Sequence, residues 1–216
     1  MFGTWNDLIF RTARKAARRL RRIDTVEDIY IDELRSRGTY AFSHINKCGG
    51  TSVEKALGIP KIHDTAQQRR DKLGAANWTR LWTFSVVRHP FDKVCSHYRY
   101  RVKTNQTGLA QHPLSLNEWV SLSYGQQDPR YFDQPLMFAP CIEWLRDEAG
   151  EIMVSHVSRL EDIVVDWPVI CRRIGMQMKL DQMNETRRDE ATVALSPDNR
   201  KLLCDIFAGD MAAFGY

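Results

Sequence analysis

The residues best able to do chemistry fall into two short stretches. His44 to Ser52 reads HINKCGGTS, and Ser85 to Tyr98 reads SVVRHPFDKVCSHY. In the first, a lysine precedes paired glycines and two hydroxyl residues. A glycine loop opening into a helix presents backbone N–H groups at the positive end of the helix dipole, which makes a cradle for an anion. Lys47 would add a mobile full charge, Gly49 and Gly50 would let the backbone come close, and Thr51 and Ser52 would add hydroxyl donors. In the second stretch, Arg88 could hold two phosphate oxygens in its planar fork while Ser96 donates to a third. Each feature also has a plainer reading: an ordinary strand-to-helix turn, a salt bridge at a sheet edge, a small residue packed on a helix face. The loop is not the nucleotide-binding GxxxxGK[ST], because its lysine comes before the glycines and no GK[ST] occurs.

Two anion sites separated in sequence need a scaffold that brings them to one edge. Thr39 to Ile45 (TYAFSHI) predicts a strand ending at the glycine loop, and Thr51 to Leu57 (TSVEKAL) predicts the helix leaving it. Leu81 to Arg88 (LWTFSVVR) predicts a second strand, and Pro90 suits the first turn of a helix continuing over Phe91 to Arg101. Glu151 to Val157 (EIMVSHV) predicts a third strand, followed by helices over about Glu161 to Ile174 and Pro197 to Phe207. Strands alternating with helices imply an α/β fold, a three-layer sandwich with a central parallel sheet flanked by helices. Ligands in such sheets bind beyond the C-terminal ends of the strands, where Lys47 and Arg88 both fall. The segment Thr104 to Pro140 fits neither period and is expected to cover the site as loops and short helices. Gln134, Tyr131, Phe132 and Phe138 within it are candidate linings of an acceptor pocket.

Composition narrows the classes. With 216 residues, 43% of them hydrophobic, the chain can build one domain with a real core. A net charge of +4 and a pI of 8.8 suit an anionic ligand but fall short of a dedicated nucleic-acid binder, so no nucleic-acid partner is expected. Five cysteines without a CxxC pair argue against a disulfide framework and a zinc site, so no metal is expected and the thiols read as reduced, in a cytoplasmic protein. Residues 1–38 form a separate basic arm ahead of a domain over 39–216. From Arg11 to Arg22 there are seven Lys/Arg and no acid, with Phe2, Trp5, Ile9, Ala13, Ala16 and Leu20 on one helical stripe. Two readings stay open for residues 1–22: a helix packed on its own domain, or peripheral contact with the anionic inner face of a membrane. No signal peptide or spanning helix is read there.

HINKCGGTS followed by VVRHPFDKVCSHY resembles the cofactor signature of the sulfotransferases, closest to the Golgi carbohydrate sulfotransferases and their bacterial relatives. The likeness extends through SRLEDI at Ser158 to Ile163 and MNET at Met183 to Thr186 to DMAAFGY at Asp210 to Tyr216. It implies a P-loop-like fold and a donor, 3′-phosphoadenosine 5′-phosphosulfate (PAPS). The implied contacts to the 5′-phosphosulfate are Lys47, Gly49, Gly50, Thr51 and Ser52, and those to the 3′-phosphate are Arg88 and Ser96. The implied acceptor is a hydroxyl, on a saccharide or glycolipid. The pattern departs from the family at Asn46 for a usual proline, Cys48 for threonine and His89 for asparagine. Cys48 keeps two readings, a passive small residue or, if exposed beside Lys47, a redox-sensitive thiol.

Sulfuryl transfer by in-line displacement needs charge stabilisation at the leaving oxygen, a role for Lys47, and a base for the acceptor hydroxyl. His63, in KIHDTAQQRR, is the expected base, since related bacterial sequences carry a histidine in a similar setting. His44 is read as shaping the loop and His97 as pointing away from the 3′ site, with His112 and His156 as runners-up. Glu161 and Asp162 are read as helix caps rather than an acid pair, and Arg159 either as their partner or as a cofactor contact. Asn184 and Arg187 suit nucleotide contact and helix capping equally well. Two other functions compete: a nucleotide-dependent kinase, and a non-catalytic nucleotide-binding protein at a membrane.

Overall fold

The structure is a computed structural model that describes residues 25–180 and 195–216. The basic run of the arm, and with it Asn184 and Arg187, lies outside the described residues.

Three parallel strands form the sheet: β1 (Tyr40–Ser43), β2 (Trp82–Val87) and β3 (His156–Arg159), with β2 in the centre. Ser43 pairs with Ser85, and Val87 with Arg159, so the three C-terminal ends lie together at one edge. Alternation along each strand sends side chains to opposite faces. Ala41 and Val87 join one core with Tyr30, Ile31, Leu34, Leu73, Trp78 and Trp144. Phe42, Phe84 and Val86 join another with Val53, Leu57, Trp167 and Ile170. Helices therefore cover both faces, as expected for the three-layer α/β arrangement.

The first face carries α1 (Val26–Ser36), then α3 (Ala66–Leu73) and α4 (Ala75–Arg80), which lie between β1 and β2 in sequence, and later α8 (Cys141–Leu145). The opposite face carries α2 (Gly50–Leu57) and α9 (Ile163–Ile174). Helix α1 begins at a Thr25–Asp28 capping box and buries Tyr30, Ile31 and Leu34, so the C-terminal part of the arm packs into the same core as the sheet. Helix α5 (Pro90–Lys103) starts directly after β2, with Pro90 in the first turn, where its missing N–H goes unneeded.

The segment after α5 folds as short pieces, including α6 (Leu116–Val120) and α7 (Pro135–Phe138). With α5, α10 (Pro197–Ile206) and the Phe207 that precedes α11 (Ala208–Phe214), these bury Trp119, Tyr124 and Phe138 in a third core.

The third strand needs correction. Residues before His156 do not join the sheet: Ile152 makes an antiparallel bridge to Arg146, and the Met153 N–H donates to the Leu145 carbonyl at 2.8 Å. The chain doubles back on the end of α8 before entering β3, and an apolar run cannot show which neighbour its backbone will find.

Candidate functional site

Lys47 and Arg88 meet at the C-terminal edge of the sheet. Lys47 lies four residues beyond β1 in the left-handed region, with φ 63°. Gly49 follows at φ 80° and ψ 2° as the residue before α2, and among the described residues no side-chain cap bonds to the N–H groups of that helix. Left-handed backbone at Gly49 is a conformation glycine adopts without steric cost. Gly50 is required for another reason. A Cβ there would lie 2.1 Å from Cδ2 and 2.4 Å from Nε2 of His44. The loop thus rests on the imidazole of His44, and the room made by Gly50 is filled by the protein itself. Thr51 is exposed and Ser52 half-buried in the first turn of α2, directly after the loop.

The electrostatics of the loop are strongly cationic. An Arg88 guanidinium nitrogen reaches the Lys47 carbonyl at 3.4 Å. The Lys47 ammonium lies over the Tyr100 ring, 4.0 Å from its centroid. Burial, then the charges of Arg88, Lys61 and Lys103, pull the Lys47 pKa down to about 8, with Cys48 opposing. Around the turn of α5 that carries Ser96, burial pushes the Cys95 thiol up to about 11, opposed by Arg99, Arg88 and Arg200. Ser96 is half-buried and adjacent to that cluster. Lys61, Tyr100, Arg99, Lys103 and Arg200 were missed from the sequence. The three on α5 could have been found, because Arg99, Tyr100 and Lys103 follow Ser96 at the i+3, i+4 and i+7 spacing of one helix face.

His63 lies on the segment between α2 and α3, half-buried against His44, with ring centroids 4.1 Å apart at 44°. Burial, then the charges of His44 and Lys61, lower its pKa to about 4, while Glu54 opposes the shift. Its Nδ1 is buried without a hydrogen-bond partner. His44 Nδ1 stands 2.7 Å from Glu54 Oε1, with both side chains buried.

His97 and His156 have structural duties. His97 is packed edge-on against Trp119 and accepts from Arg101 Nε at 3.0 Å. Burial and nearby cations hold its pKa far below the usual range. His156 stacks on Trp82 and meets Ser158 at 2.9 Å, and His112 is exposed.

Several secondary expectations change. Cys48 is 0% exposed, with its Sγ 3.6 Å from that of Cys141. An exposed reactive thiol therefore lacks its premise, and Cys48 acts as a small packing residue. Asp162 occupies the cap position of α9 without a capping hydrogen bond; its carboxylate pairs with Arg159. Glu161 accepts from the His89 N–H at 2.9 Å and from the Tyr216 hydroxyl at 3.1 Å. These acids tie the sheet edge together rather than cap a helix. Phe138 is buried in the third core rather than lining a pocket, Tyr131 and Phe132 pack against that core, and Gln134 is exposed. Asn46, where the resembling pattern has proline, donates to the Met137 carbonyl at 3.0 Å and so fastens the loop to α7.

The model of the sulfotransferase family matches residues 38–216. A solved structure, a sulfotransferase from Alicyclobacillus acidocaldarius, aligns with a TM-score of 0.48 at 16% identity, over 82% of this chain and 94% of that one. No curated protein matches the chain. Among the described residues, no helix is long and apolar enough to cross a membrane.

Proposed function

We propose, from the premise that this chain belongs to the sulfotransferase family, that it transfers a sulfuryl group from PAPS to a hydroxyl of a saccharide or glycolipid. One observation carries the reading. A partly desolvated lysine and an arginine converge on an uncapped helix N-terminus at the C-terminal edge of a parallel sheet. The donor set fits a ligand with two anionic ends: Lys47 with Gly49, Gly50, Thr51 and Ser52 for one, and Arg88 with Ser96 for the other. When bound, PAPS supplies an activated sulfuryl group whose departure leaves negative charge on a bridging oxygen. Lys47 neutralises that charge with its ammonium, and the α2 N–H groups add fixed dipoles. His63 takes the proton of the attacking hydroxyl. Its depressed pKa keeps it neutral at pH 7, with a lone pair free to accept.

The test has two arms. PAP, the donor product, should raise the melting temperature where ATP does not, which separates this function from a kinase. Radiolabelled PAPS incubated with cell-envelope extract should yield a labelled product, and its structure would name the acceptor. PAP binding with no labelled product from any acceptor preparation would favour the non-catalytic reading instead. His63→Ala should bind PAP normally while transfer falls by about 10²–10⁴-fold; full transfer in that variant would remove His63 as the base. For residues 1–22, co-sedimentation with anionic liposomes of the full chain and of one lacking them decides membrane contact, and equal partitioning would exclude it.

A further inference from the structure

The Glu54 carboxylate lies under the anion loop and has no place in the chemistry above. It is 4% exposed, yet it stands on α2, the helix whose N-terminus forms the cradle. One oxygen, Oε1, meets His44 Nδ1 at 2.7 Å and accepts from the Ile62 N–H at 3.2 Å. The carboxylate therefore joins three segments: the chain just past β1, α2 itself, and the connector that presents His63 one residue later. Its other oxygen, Oε2, is buried without a hydrogen-bond partner. A buried carboxylate with an unsatisfied oxygen is costly, and an apolar side chain would fill an inward-facing helix position at lower cost.

The imidazole of His44 has a neighbour on each side. Gly50 presses on it so closely that any side chain there would overlap the ring, and His63 lies against it at 4.1 Å between centroids. Movement of this ring displaces the cradle and the base together. We propose that Glu54 and His44 are positioning residues for sulfuryl transfer, a buried pair that fixes His63 relative to the anion loop. The proposal rests on the reading of His63 as the base. Three groups face His63: His44 from the end of β1, Glu54 from α2, and Lys61 from its own segment. Of these, Glu54 by its charge and His44 by a backbone hydrogen bond favour a proton on His63, which supports the imidazolium formed as the acceptor is deprotonated.

A double-mutant cycle tests this, read as transfer from radiolabelled PAPS into cell-envelope extract and as PAP binding by calorimetry. A misplaced base costs on the order of 10²-fold in turnover, so Glu54→Ala should lower transfer by about that factor while PAP affinity changes by less than about threefold. In a His63→Ala background the same substitution should lower transfer no further, because a residue acting through His63 loses its effect when His63 is gone. Glu54→Gln keeps an oxygen for the Ile62 N–H and His44 and should recover most of the lost transfer. If Glu54→Ala does not fold, His44→Asn serves in its place: it retains a polar partner for Glu54 and removes the ring against His63, so transfer should fall only when His63 is present. Unchanged transfer in a folded Glu54→Ala or His44→Asn variant, or an equal loss with and without His63, would overturn the inference. Full transfer in His63→Ala alone would refute the base assignment itself, and the two failures are thereby distinguished.

Discussion

Raising the pH should weaken binding of the donor product PAP through a single group, Lys47. In the ligand-free protein its pKa is lowered from 10.5 to about 8, first by burial and then by Arg88, Lys61 and Lys103. An anion placed against the ammonium favours the charged form and returns the pKa toward its ordinary value. The sign follows from these two states. Below pH 8 Lys47 is protonated in both, and affinity is at its plateau. Between pH 8 and the bound-state pKa, binding must recapture a proton that the free protein has already lost. If the bound pKa returns to 10.5, the ratio of protonated fractions makes PAP binding about tenfold weaker at pH 9 than at pH 7, close to 1.4 kcal/mol. About half a proton should be taken up per PAP bound at pH 8.

Calorimetry in two buffers of different ionisation enthalpy reads both quantities, Kd from the isotherm and proton uptake from the difference in heats. The phosphates of the ligand lose their last protons near pH 6 and do not titrate in this window. Lys47→Arg supplies the control, since a guanidinium stays charged throughout and its Kd should not change with pH. A wild-type Kd that is level from pH 7 to 9, with no proton uptake at pH 8, would refute the placement of the Lys47 ammonium against the anion.

Other consequences can be measured separately. Arg88→Ala should weaken PAP binding by about 30–150-fold through loss of charge-assisted hydrogen bonds, and Arg88→Lys should recover only part, because an ammonium cannot form the planar fork. Calorimetry gives both constants, and equal binding by all three proteins would remove Arg88 from the 3′ site. The pH profile of kcat/KM reports the free enzyme's base, so with His63 near pH 4 it should stay level from pH 7 down to about 5; an acidic limb centred near 6.5 would mean a different base. Asp210, 0% exposed, accepts from the Cys141 N–H at 2.7 Å and the Ile142 N–H at 2.8 Å at the start of α8. Asp210→Ala leaves the buried Cys141 N–H and the half-buried Ile142 N–H unpaired, so it should cost about 2–4 kcal/mol and lower Tm by roughly 5–15 °C, with Asp210→Asn in between.

The sheet edge was readable because two signals of different origin agreed. Apolar runs ending at Ile45 and Arg88 predicted where strands stop, and the residues able to bind anions came directly after each stop. Helix α3 was missed although its start was legible: Thr65 and Gln68 form a capping box, but AQQRRDKL that follows has no apolar stripe to announce a helix. The α9 caps failed for a different reason. An acid before a helix is favoured there by the dipole, but Arg159 close by in sequence offers Asp162 a full positive charge, which outweighs a partial one. Phe138 misled because aromatic residues in a loop-rich segment serve cores and pockets alike, and only the ring contacts with His97, Trp119 and Tyr124 decide between them.

The paired glycines show most clearly what a motif withholds. HINKCGGTS announces an anion loop, and both glycines invite one explanation, close approach of the ligand. The structure separates them: Gly49 supplies a left-handed backbone, and Gly50 clears the ring of His44. Gly50→Ala therefore acts from inside the protein. The added Cβ would overlap His44 Cδ2 at 2.1 Å, and the ring cannot swing away without leaving Glu54 or pressing on His63. Overpacking of this kind costs about 1–3 kcal/mol, so the variant should lose stability without any ligand present. A glycine kept only to admit an anion would instead leave the ligand-free Tm unchanged and affect PAP binding alone. Melting curves of the two proteins without PAP decide which cause holds, and equal curves would return Gly50 to the reading its sequence first suggests.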